Sequence, residues 1–553
     1  MFKNNGQKIK SGLFLTSVVL ISLSLTSCGN NYFVEHKSSK NAKVTISKTL
    51  PTSGEVIKPE NITLTNTLPE MAKNKTYPYY LISQNTYSID VLVLPINFKD
   101  SSNFLFKDEI KAKINAAFNG SDKQKVYPTS VKDFYMNSSF GKINLNFEVA
   151  DWYSTFSSKE LLTQENLDQL IVNATKNAKI NGQKIDLNKF DKNKDGVIDA
   201  LWVVYDVPNY ANNPTNKNNI FWAYTVSKSL NSKHNNQNIE PLIYSFASYD
   251  FMDGYYGAIN ARTFIHETGH LFGLSDLYDY GNSYFPTAGF DMMDFNLFDH
   301  NSYSKMCLGW IKPYIVYGNA TINEEELIRS NSCVVILEDE KELNYKEKGN
   351  YIFNPFQEYI LIDYFDVSDS SLNYFDLVNE SEQKGIMQID IDESGYRLYH
   401  VDGRLLKLKM DNKVINAEFY NENIPISKSE VGMKLITNSS KKAELSESKV
   451  IEKLGYNYLL QDNNNIDYFN EITLLANNFN KLNQDYTNLY YSFKEESRDE
   501  KVRTPLTNEM LFHSGDSFKI NEIYSKYFVN GKSDEGLKFN DNNDIFSTSI
   551  YFE

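Results

Sequence analysis

The chain has 553 residues, of which 41% are hydrophobic and 23% charged, and this composition is ordinary for a folded body of two or three domains. Its formal net charge of −15 and the lack of a basic cluster argue against a nucleic-acid partner, because phosphate binding needs a basic surface. Three cysteines are too few for a disulfide framework.

The first residues have the order of charged and apolar groups that is typical of an export signal. Three lysines precede an apolar run over residues 12–25, which is short for a transmembrane helix. The run ends in Leu25-Thr-Ser-Cys28-Gly29, which resembles the lipobox of bacterial lipoproteins and implies removal of residues 1–27 and diacylation of Cys28. The alternative is an ordinary cleavable signal with a chance cysteine. Since two acyl chains anchor a protein stably, we expect an exported lipoprotein on the outer face of a membrane.

The stretch that follows, residues 28–87, is rich in Ser, Thr, Lys, Asn and Pro and is predicted to be a tether or a short pro-segment. Strands and helices are then predicted in alternation, which indicates an α/β layer: a strand at 90–99, a helix at 106–120, a helix around 167–174 and a strand at 198–205. Beyond about residue 311, strand-like segments separated by Asn-rich turns predominate.

The most informative segment reads Ile265-His266-Glu267-Thr-Gly-His270-Leu-Phe-Gly273. His266 and His270 are four residues apart, so on a helix both imidazoles lie on one face and reach one zinc ion at about 2.0–2.1 Å. Glu267 can act as general base on a zinc-bound water. Apolar neighbours predict that the helix is buried, and Gly273 predicts its end. The alternative, two core histidines beside a surface glutamate by chance, is rare in a chain with seven histidines.

The third protein ligand stays open at this point. Asp276 stands ten residues after His266, where the metzincin pattern HExxHxxGxxH/D has its last ligand, and a carboxylate oxygen suits zinc. The rivals are Glu358 and Asp363 in the later strand-like segment EYILIDYF. In that case Asp276 would orient a histidine or the following turn.

A second metal site is predicted upstream of the zinc helix. Oxygen donors alternate around Gly196 as in a calcium loop, and the candidate ligands are Asp191, Asn193, Asp195 and Asp199. An EF-hand would need a bidentate Glu at the twelfth position, where this chain has Trp202, so another segment or water must complete the shell. The alternative is a solvated Asn/Asp turn.

Several segments together resemble the immune-inhibitor-A family of bacterial metallopeptidases. They are SVKDFYMNSSFGKINL at 130–145, DKNKDGVIDALWVVYD at 191–206, HETGHLFGLSDLYD at 266–279, GFDMMDFN at 289–296, HNSYSKMCLGWIKP at 300–313, EYILIDYF at 358–365 and YRLYHVDGRL at 396–405. The resemblance runs from about Val91 to about Leu405. This chain has Asp363 where that family usually has Glu, and the shorter side chain reaches about one methylene less far.

The resemblance implies extracellular endopeptidase activity with one catalytic zinc and, in some members, a bound calcium. Position by position, it implies His266 and His270 as zinc ligands, Glu267 as general base and Met293 as the methionine of a turn beneath the metal. The predicted fold class is α+β. We expect a zincin-like catalytic domain over 88–405, with a twisted sheet, a buried zinc helix and a Met-turn. A β-rich C-terminal region with a polar insertion is expected over 406–553.

The function predicted from the sequence is that of a lipid-anchored, zinc-dependent endopeptidase that hydrolyses extracellular proteins or peptides, expected to be a monomer. A surface-binding lipoprotein with a vestigial zinc site is an alternative, although the intact His-Glu-His set argues against it. A zinc hydrolase with a substrate other than peptide is a further alternative that the zinc helix alone does not exclude.

Overall fold

The computed structural model of the chain describes the residues between 42 and 553 in the following stretches: 42–47, 56–73, 88–101, 106–156, 163–192, 194, 197–209, 221–227, 240–241, 243–254, 257–277, 287, 289–337, 344–347, 349–367, 389–402, 458–462, 465–469, 472–474, 506–519 and 548–553. Contacts between Cα atoms divide the chain into a unit over 1–37, which includes none of these residues, and a unit over 38–553, which includes all of them. Among the helices in these stretches, none is both long and apolar enough to cross a membrane.

Short strands outnumber helices in the described residues. The helices are α1 Leu68–Lys73, α2 Lys107–Asn119, α3 Val131–Ser138, α4 Gln164–Lys176, α5 Arg262–Leu271, α6 Met292–Phe295, α7 Ser302–Cys307 and α8 Glu324–Arg329. The strands are β1 Lys43–Ser47, β2 Val56–Ile57, β3 Ile62–Leu64, β4 Ser88–Phe98, β5 Val126–Tyr127, β6 Asn144–Val149, β7 Tyr153–Thr155, β8 Lys179–Ile180, β9 Gln183–Lys184, β10 Val197–Ile198, β11 Leu201–Tyr205, β12 Tyr224–Ser227, β13 Glu240–Pro241, β14 Ile243–Ser248, β15 Ile259–Asn260, β16 Tyr314–Val316, β17 Ala320–Asn323, β18 Val334–Ile336, β19 Asn344–Glu347, β20 Asn350–Phe353, β21 Glu358–Phe365, β22 Ile389–Asp390, β23 Gly395–Asp402, β24 Tyr458–Asp462, β25 Asn465–Phe469, β26 Ile472–Leu474, β27 Leu506–Thr507, β28 Ser517–Lys519 and β29 Ser549–Phe552.

The central sheet has the order β12-β14-β11-β4-β6, and β7 pairs with the end of β4. Its pairs are parallel, except that β12 runs antiparallel to β14 at the edge. Both β4 and β11 are buried on two faces, which explains their continuous apolar sequences. Helices α2, α3 and α5 contribute to the core on one face, and α4 contributes to the core on the other.

The zinc helix predicted from the sequence is α5, and two buried hydrogen bonds attach it to its neighbours. Trp202 Nε1 in β11 donates to Thr268 Oγ1 at 3.0 Å, and the Tyr135 hydroxyl in α3 donates to the backbone oxygen of Ile265 at 2.8 Å. The helix is therefore held against the sheet on one side and against α3 on the other.

A second large sheet has the order β2-β16-β18-β21-β23-β26. Its central strands β21 and β23 pair antiparallel along their whole length, with Asp363 opposite Arg397. The Arg397 guanidinium donates to both oxygens of Asp363 and, at 3.0 Å, to the backbone oxygen of Phe290, just before α6. This sheet thus contacts the segment where the Met-turn is predicted.

The N-terminal stretch is not a free tether where the structure describes it. Strand β1 lies between β17 and β29, while β2 pairs with β16 and β3 pairs with β20. The side chains of Val44, Ile46 and Ile62 are buried in the core. Their alternation with polar residues is the pattern of a half-buried strand, which a composition rich in Ser and Lys concealed. Whether this stretch acts as a pro-segment stays a prediction.

The predicted boundary at residue 405 does not separate sheets. Strand β26 extends the second large sheet beyond β23, β27 pairs with β22, and β29 pairs with β1. The hairpin of β24 and β25 pairs only within itself among the described strands. Much of the region over 406–553, where a polar insertion is predicted, lies outside the described residues. The described architecture is mixed α and β with several sheets, and the zincin-like assignment stays a prediction.

Candidate metal centre

The end of α5 determines where Asp276 lies. The helix stops after Leu271, and Gly273 adopts φ +91°, a left-handed conformation that glycine takes without steric cost. Backbone hydrogen bonds from Gly273 to His270 and from Leu274 to Gly269 close this turn at 2.9 and 3.0 Å. The chain then turns back toward the histidine face of α5. Gly273 therefore ends the helix at the residue that the sequence indicates.

Two imidazole nitrogens and one carboxylate oxygen converge beside α5. Asp276 Oδ1 lies 2.8 Å from Nε2 of His266 and 3.3 Å from Nε2 of His270. All three side chains are largely buried. Ligand atoms bound to one tetrahedral zinc at about 2.0–2.2 Å are separated by about 3.3–3.6 Å. The His270 distance matches this separation, whereas the His266 distance is that of a hydrogen bond.

The second ring nitrogens of both histidines face backbone carbonyl oxygens. His266 Nδ1 is 2.9 Å from the oxygen of Met292, and His270 Nδ1 is 2.8 Å from the oxygen of Leu274. A carbonyl oxygen only accepts hydrogen bonds, so each Nδ1 carries a proton. When a ring is neutral, its Nε2 lone pair is directed toward Asp276. A lone pair and a carboxylate at this distance need a proton or a cation between them. The contacts therefore fit either an imidazolium hydrogen-bonded to Asp276 in the metal-free protein or one cation shared by His266, His270 and Asp276.

Glu267 lies next to this donor set. Its carboxylate and the ring nitrogens of His266 and His270 offer atoms that all lie within 4.8 Å of one another. Burial raises the pKa of Glu267 above its ordinary value, although the imidazoles of His270 and His266 act in the opposite direction. Thr225 donates a hydrogen bond to Glu267 Oε2 at 3.0 Å. A buried carboxylate with a raised pKa is suited to accept and return a proton near neutral pH.

The protonation of His270 predicts a pH dependence for the metal-free protein. Burial alone would lower the pKa of His270, but the Asp276 carboxylate raises it from 6.5 to about 9. Because the folded state favours the imidazolium, its contribution to stability is complete below about pH 6.5 and is lost as pH rises through about 9. We expect the free energy of unfolding of chelator-treated protein to fall over this window, measured by urea denaturation. His270→Gln should flatten the decline, and an equal decline in that variant would contradict the assignment.

Met293 lies beneath the zinc helix at Gly269. A Cβ atom added to Gly269 would be 2.6 Å from Met293 Sδ and 3.2 Å from the Tyr135 hydroxyl oxygen. The backbone oxygen of Met293 also accepts from Leu277 at 2.9 Å, which attaches the segment after the zinc helix to this turn. Met293 is fully buried and packs against α5 at Gly269, and its role in a Met-turn stays a prediction.

This close contact predicts that Gly269→Ala destabilises the protein. The new methyl group overlaps Met293 Sδ, and overpacking of this kind costs about 1–3 kcal/mol in the free energy of unfolding. Urea denaturation of Gly269→Ala, Met293→Ala and the double variant gives the coupling energy between the two sites. We expect the Gly269→Ala penalty to shrink in the Met293→Ala background. An unchanged penalty would show that the two residues do not clash.

Asp363 does not lie with the histidines. Its two oxygens accept from Arg397 Nε and Nη2 at 2.7 and 2.8 Å, and Oδ2 also accepts from the backbone nitrogen of Ser302 at 3.1 Å. Both Asp363 and Arg397 are almost fully buried. The structure therefore brings Asp276, and not Asp363, to His266 and His270. Glu358 forms the first residue of β21, and its side chain lies outside the described atoms.

Several residues around the site were not predicted from the sequence. The carboxylate of Asp291 accepts from the backbone nitrogens of Met293 and Asn301 at 2.7 and 2.6 Å and thereby shapes the segment where the Met-turn is predicted. Thr225 contacts Glu267, and Arg397 contacts the backbone of Phe290 just before α6. Both residues lie on strands that are distant in sequence from α5. Only Asp291 had a local signal, since an Asp directly before a short helix is a common N-cap.

The predicted calcium loop is only partly described. Asp191 and Asp199 are both buried, and Asp199 Oδ2 accepts from the backbone nitrogen of Lys192 at 2.8 Å. Asn193 and Asp195 lie outside the described residues, and so does the lipidation residue Cys28. Calcium binding and lipid attachment therefore both stay predictions.

Comparison with known proteins found no match for this chain. No protein-family model matches the chain, and no curated protein matches it. The resemblance to the immune-inhibitor-A family therefore stays a prediction that rests on the quoted segments.

Proposed function

We propose that this chain is a zinc-dependent endopeptidase in which His266, His270 and Asp276 hold the metal and Glu267 is the general base. The observation that supports this proposal best is the shared carboxylate oxygen. Asp276 Oδ1 faces the Nε2 atoms of both histidines, while both Nδ1 atoms are bonded to backbone carbonyls. A buried arrangement of three acceptors around one point suits a cation better than it suits a hydrophobic core.

The chemistry follows from the positions of these side chains. Zinc, when bound, polarises a carbonyl as a Lewis acid and makes water nucleophilic near neutral pH. The Glu267 carboxylate accepts the proton of the attacking water and transfers it to the nitrogen of the leaving amine. The carbonyl oxygens of Met292 and Leu274 keep His266 and His270 in the tautomer that presents Nε2 to the metal.

The predicted export signal and the lipobox resemblance support a location outside the cell membrane for the proposed activity, whose proposed substrates are proteins or peptides. Because Cys28 is the proposed lipid attachment point, Cys28→Ser should abolish incorporation of a labelled fatty acid. Fatty-acid labelling of the wild-type and Cys28→Ser chains, followed by fractionation into membrane and soluble material, tests this part. Equal labelling of both chains would contradict it.

The experiment that tests the activity is proteolysis of casein with and without a chelator, combined with elemental analysis of the purified protein. We expect one zinc per chain and hydrolysis that stops on chelation and returns with zinc. His270→Ala, which removes one ligand, should lose both metal and hydrolysis. Bound calcium in the same analysis would support the loop at 191–199. Bound zinc without hydrolysis would instead favour the surface-binding alternative, and hydrolysis that survives chelation would contradict the proposal.

A further inference from the structure

Two hydroxyl groups lie against Glu267. Thr225 in β12 and Ser245 in β14 are direct cross-strand partners, so both side chains lie on one face of the central sheet. Their oxygens are 2.7 Å apart, and they lie 3.2 Å (Thr225) and 3.1 Å (Ser245) from the backbone oxygen of Glu267. Thr225 Oγ1 is also 3.0 Å from Oε2 of the same residue. Thr225 therefore contacts both the backbone and the carboxylate of Glu267.

Each hydroxyl group has one hydrogen atom, and this limits which of these contacts are hydrogen bonds at the same time. An ionised carboxylate only accepts, so the contact between Thr225 and Glu267 Oε2 uses the single hydroxyl proton of Thr225. Ser245 then uses its own proton toward Thr225 Oγ1 or toward the Glu267 backbone oxygen. Among the described residues, Thr225 is the side chain that hydrogen-bonds this carboxylate.

The backbone around Thr225 and its branched side chain restrict the position of its hydroxyl group. Threonine is branched at Cβ, which restricts its χ1 angle, and β12 is paired with β14 through the neighbouring residues Tyr224 and Val226. These two neighbours pack into the core on the opposite face of the sheet. Glu267, by contrast, has a long side chain with several rotatable bonds. A fixed donor at Oε2 therefore limits the positions that the second oxygen, Oε1, can take.

We propose that Thr225 is a positioning residue that holds the Glu267 carboxylate in the orientation needed for proton transfer. This inference rests on the proposed function, because it assigns to Glu267 the role of base. Ser245 supports Thr225 from within the sheet, where it is fully buried. No metal ligand is altered by the substitutions that test this role.

The test compares Thr225→Val, which keeps the branched shape and removes the hydroxyl, with Thr225→Ser, which keeps the hydroxyl. We expect kcat for casein peptides to fall about 10- to 100-fold in Thr225→Val with little change in KM, since a hydrogen bond to a charged group is lost. Thr225→Ser should stay within about threefold of wild type. Zinc content should be normal in both. A kcat within about threefold of wild type in Thr225→Val, or a loss that Thr225→Ser shares, would overturn the proposal.

The matched control is Thr321→Val. Thr321 makes a cross-strand hydroxyl contact of 3.2 Å with Thr45 in another sheet, so this variant loses the same kind of contact away from Glu267. Its kcat should equal that of wild type, and an equal loss in both Val variants would overturn the assignment. If Thr225→Val does not fold, as judged by circular dichroism, Thr225→Ala replaces it.

A structural measurement that does not depend on activity tests this inference separately from the proposed function. In crystal structures of the metal-free proteins, the Glu267 carboxylate should occupy one position in wild type and Thr225→Ser, and a different position or several positions in Thr225→Val. An unchanged carboxylate in Thr225→Val would overturn the positioning role even if the enzyme is active. If the wild-type protein is inactive but the Glu267 carboxylate moves in Thr225→Val as expected, only the proposed activity is refuted.

Discussion

Replacing Glu267 with glutamine is expected to lower kcat by about 10²- to 10⁴-fold while the protein keeps its zinc. Glutamine has the same shape as glutamate, and its amide oxygen can still accept the hydrogen bond that Thr225 donates to Glu267 Oε2 at 3.0 Å. It cannot, however, take up the proton of the attacking water at pH 7. The measurement is kcat for a casein-derived peptide, together with zinc content by elemental analysis.

A suitable control for this variant is Glu326→Gln. Glu326 forms an exposed ion pair with Lys58 at 2.9 Å, so its replacement removes a carboxylate that is remote from the histidines. Its kcat should match that of wild type. If Glu267→Gln hydrolysed the peptide at the wild-type rate with zinc bound, Glu267 would not be the base, and another group would have to be sought.

The second large effect distinguishes the two candidate third ligands. Asp276→Asn is expected to weaken zinc binding by more than about 100-fold, because even residues that only orient a ligand contribute about 10- to 100-fold. Asp363→Asn should bind zinc like wild type but should lose about 3–5 kcal/mol in the free energy of unfolding, since it leaves the buried Arg397 guanidinium without its carboxylate. Zinc titration against a competing chelator and urea denaturation measure the two quantities.

The outcome that would reverse this assignment is specific. Loss of zinc from Asp363→Asn under conditions where circular dichroism shows native structure, with normal zinc binding in Asp276→Asn, would make the later strand the source of the third ligand. Arg397→Lys serves as a further control, because it keeps a positive charge beside Asp363 while it removes the paired geometry. It should be destabilised and should still bind zinc.

Much of the region around the site follows from local patterns. The apolar run at 90–99 corresponds to β4, and the helical spacing at 106–120 corresponds to α2. The histidine spacing corresponds to α5, and Gly273 ends that helix with a positive φ. These features depend on a helix period of 3.6 residues, on two-sided burial of a strand and on the freedom of glycine. All of them are readable within a window of about ten residues.

Other features depend on residues that meet only in the folded chain. The sequence left Asp276, Glu358 and Asp363 as rival ligands, because spacing alone does not show what else a carboxylate can bind. In the structure, Asp363 is paired with Arg397, which is 34 residues away in sequence, and Asp276 is left to face the histidines. The contact between Thr225 and Glu267 spans 42 residues and has no motif.

The sequence by itself determined the spacing of the two histidines in the predicted zinc site, the position of the proposed base Glu267 and the end of the helix that carries them. It also indicated the buried strand and helix that lead into the central sheet. Tertiary structure alone showed which carboxylate lies beside the histidines, the hydrogen bond to Glu267 and the place of β1 between β17 and β29. The physical reason is that periodicity and glycine conformation act locally along the chain. Ion pairing and strand pairing depend instead on which distant segments are brought together.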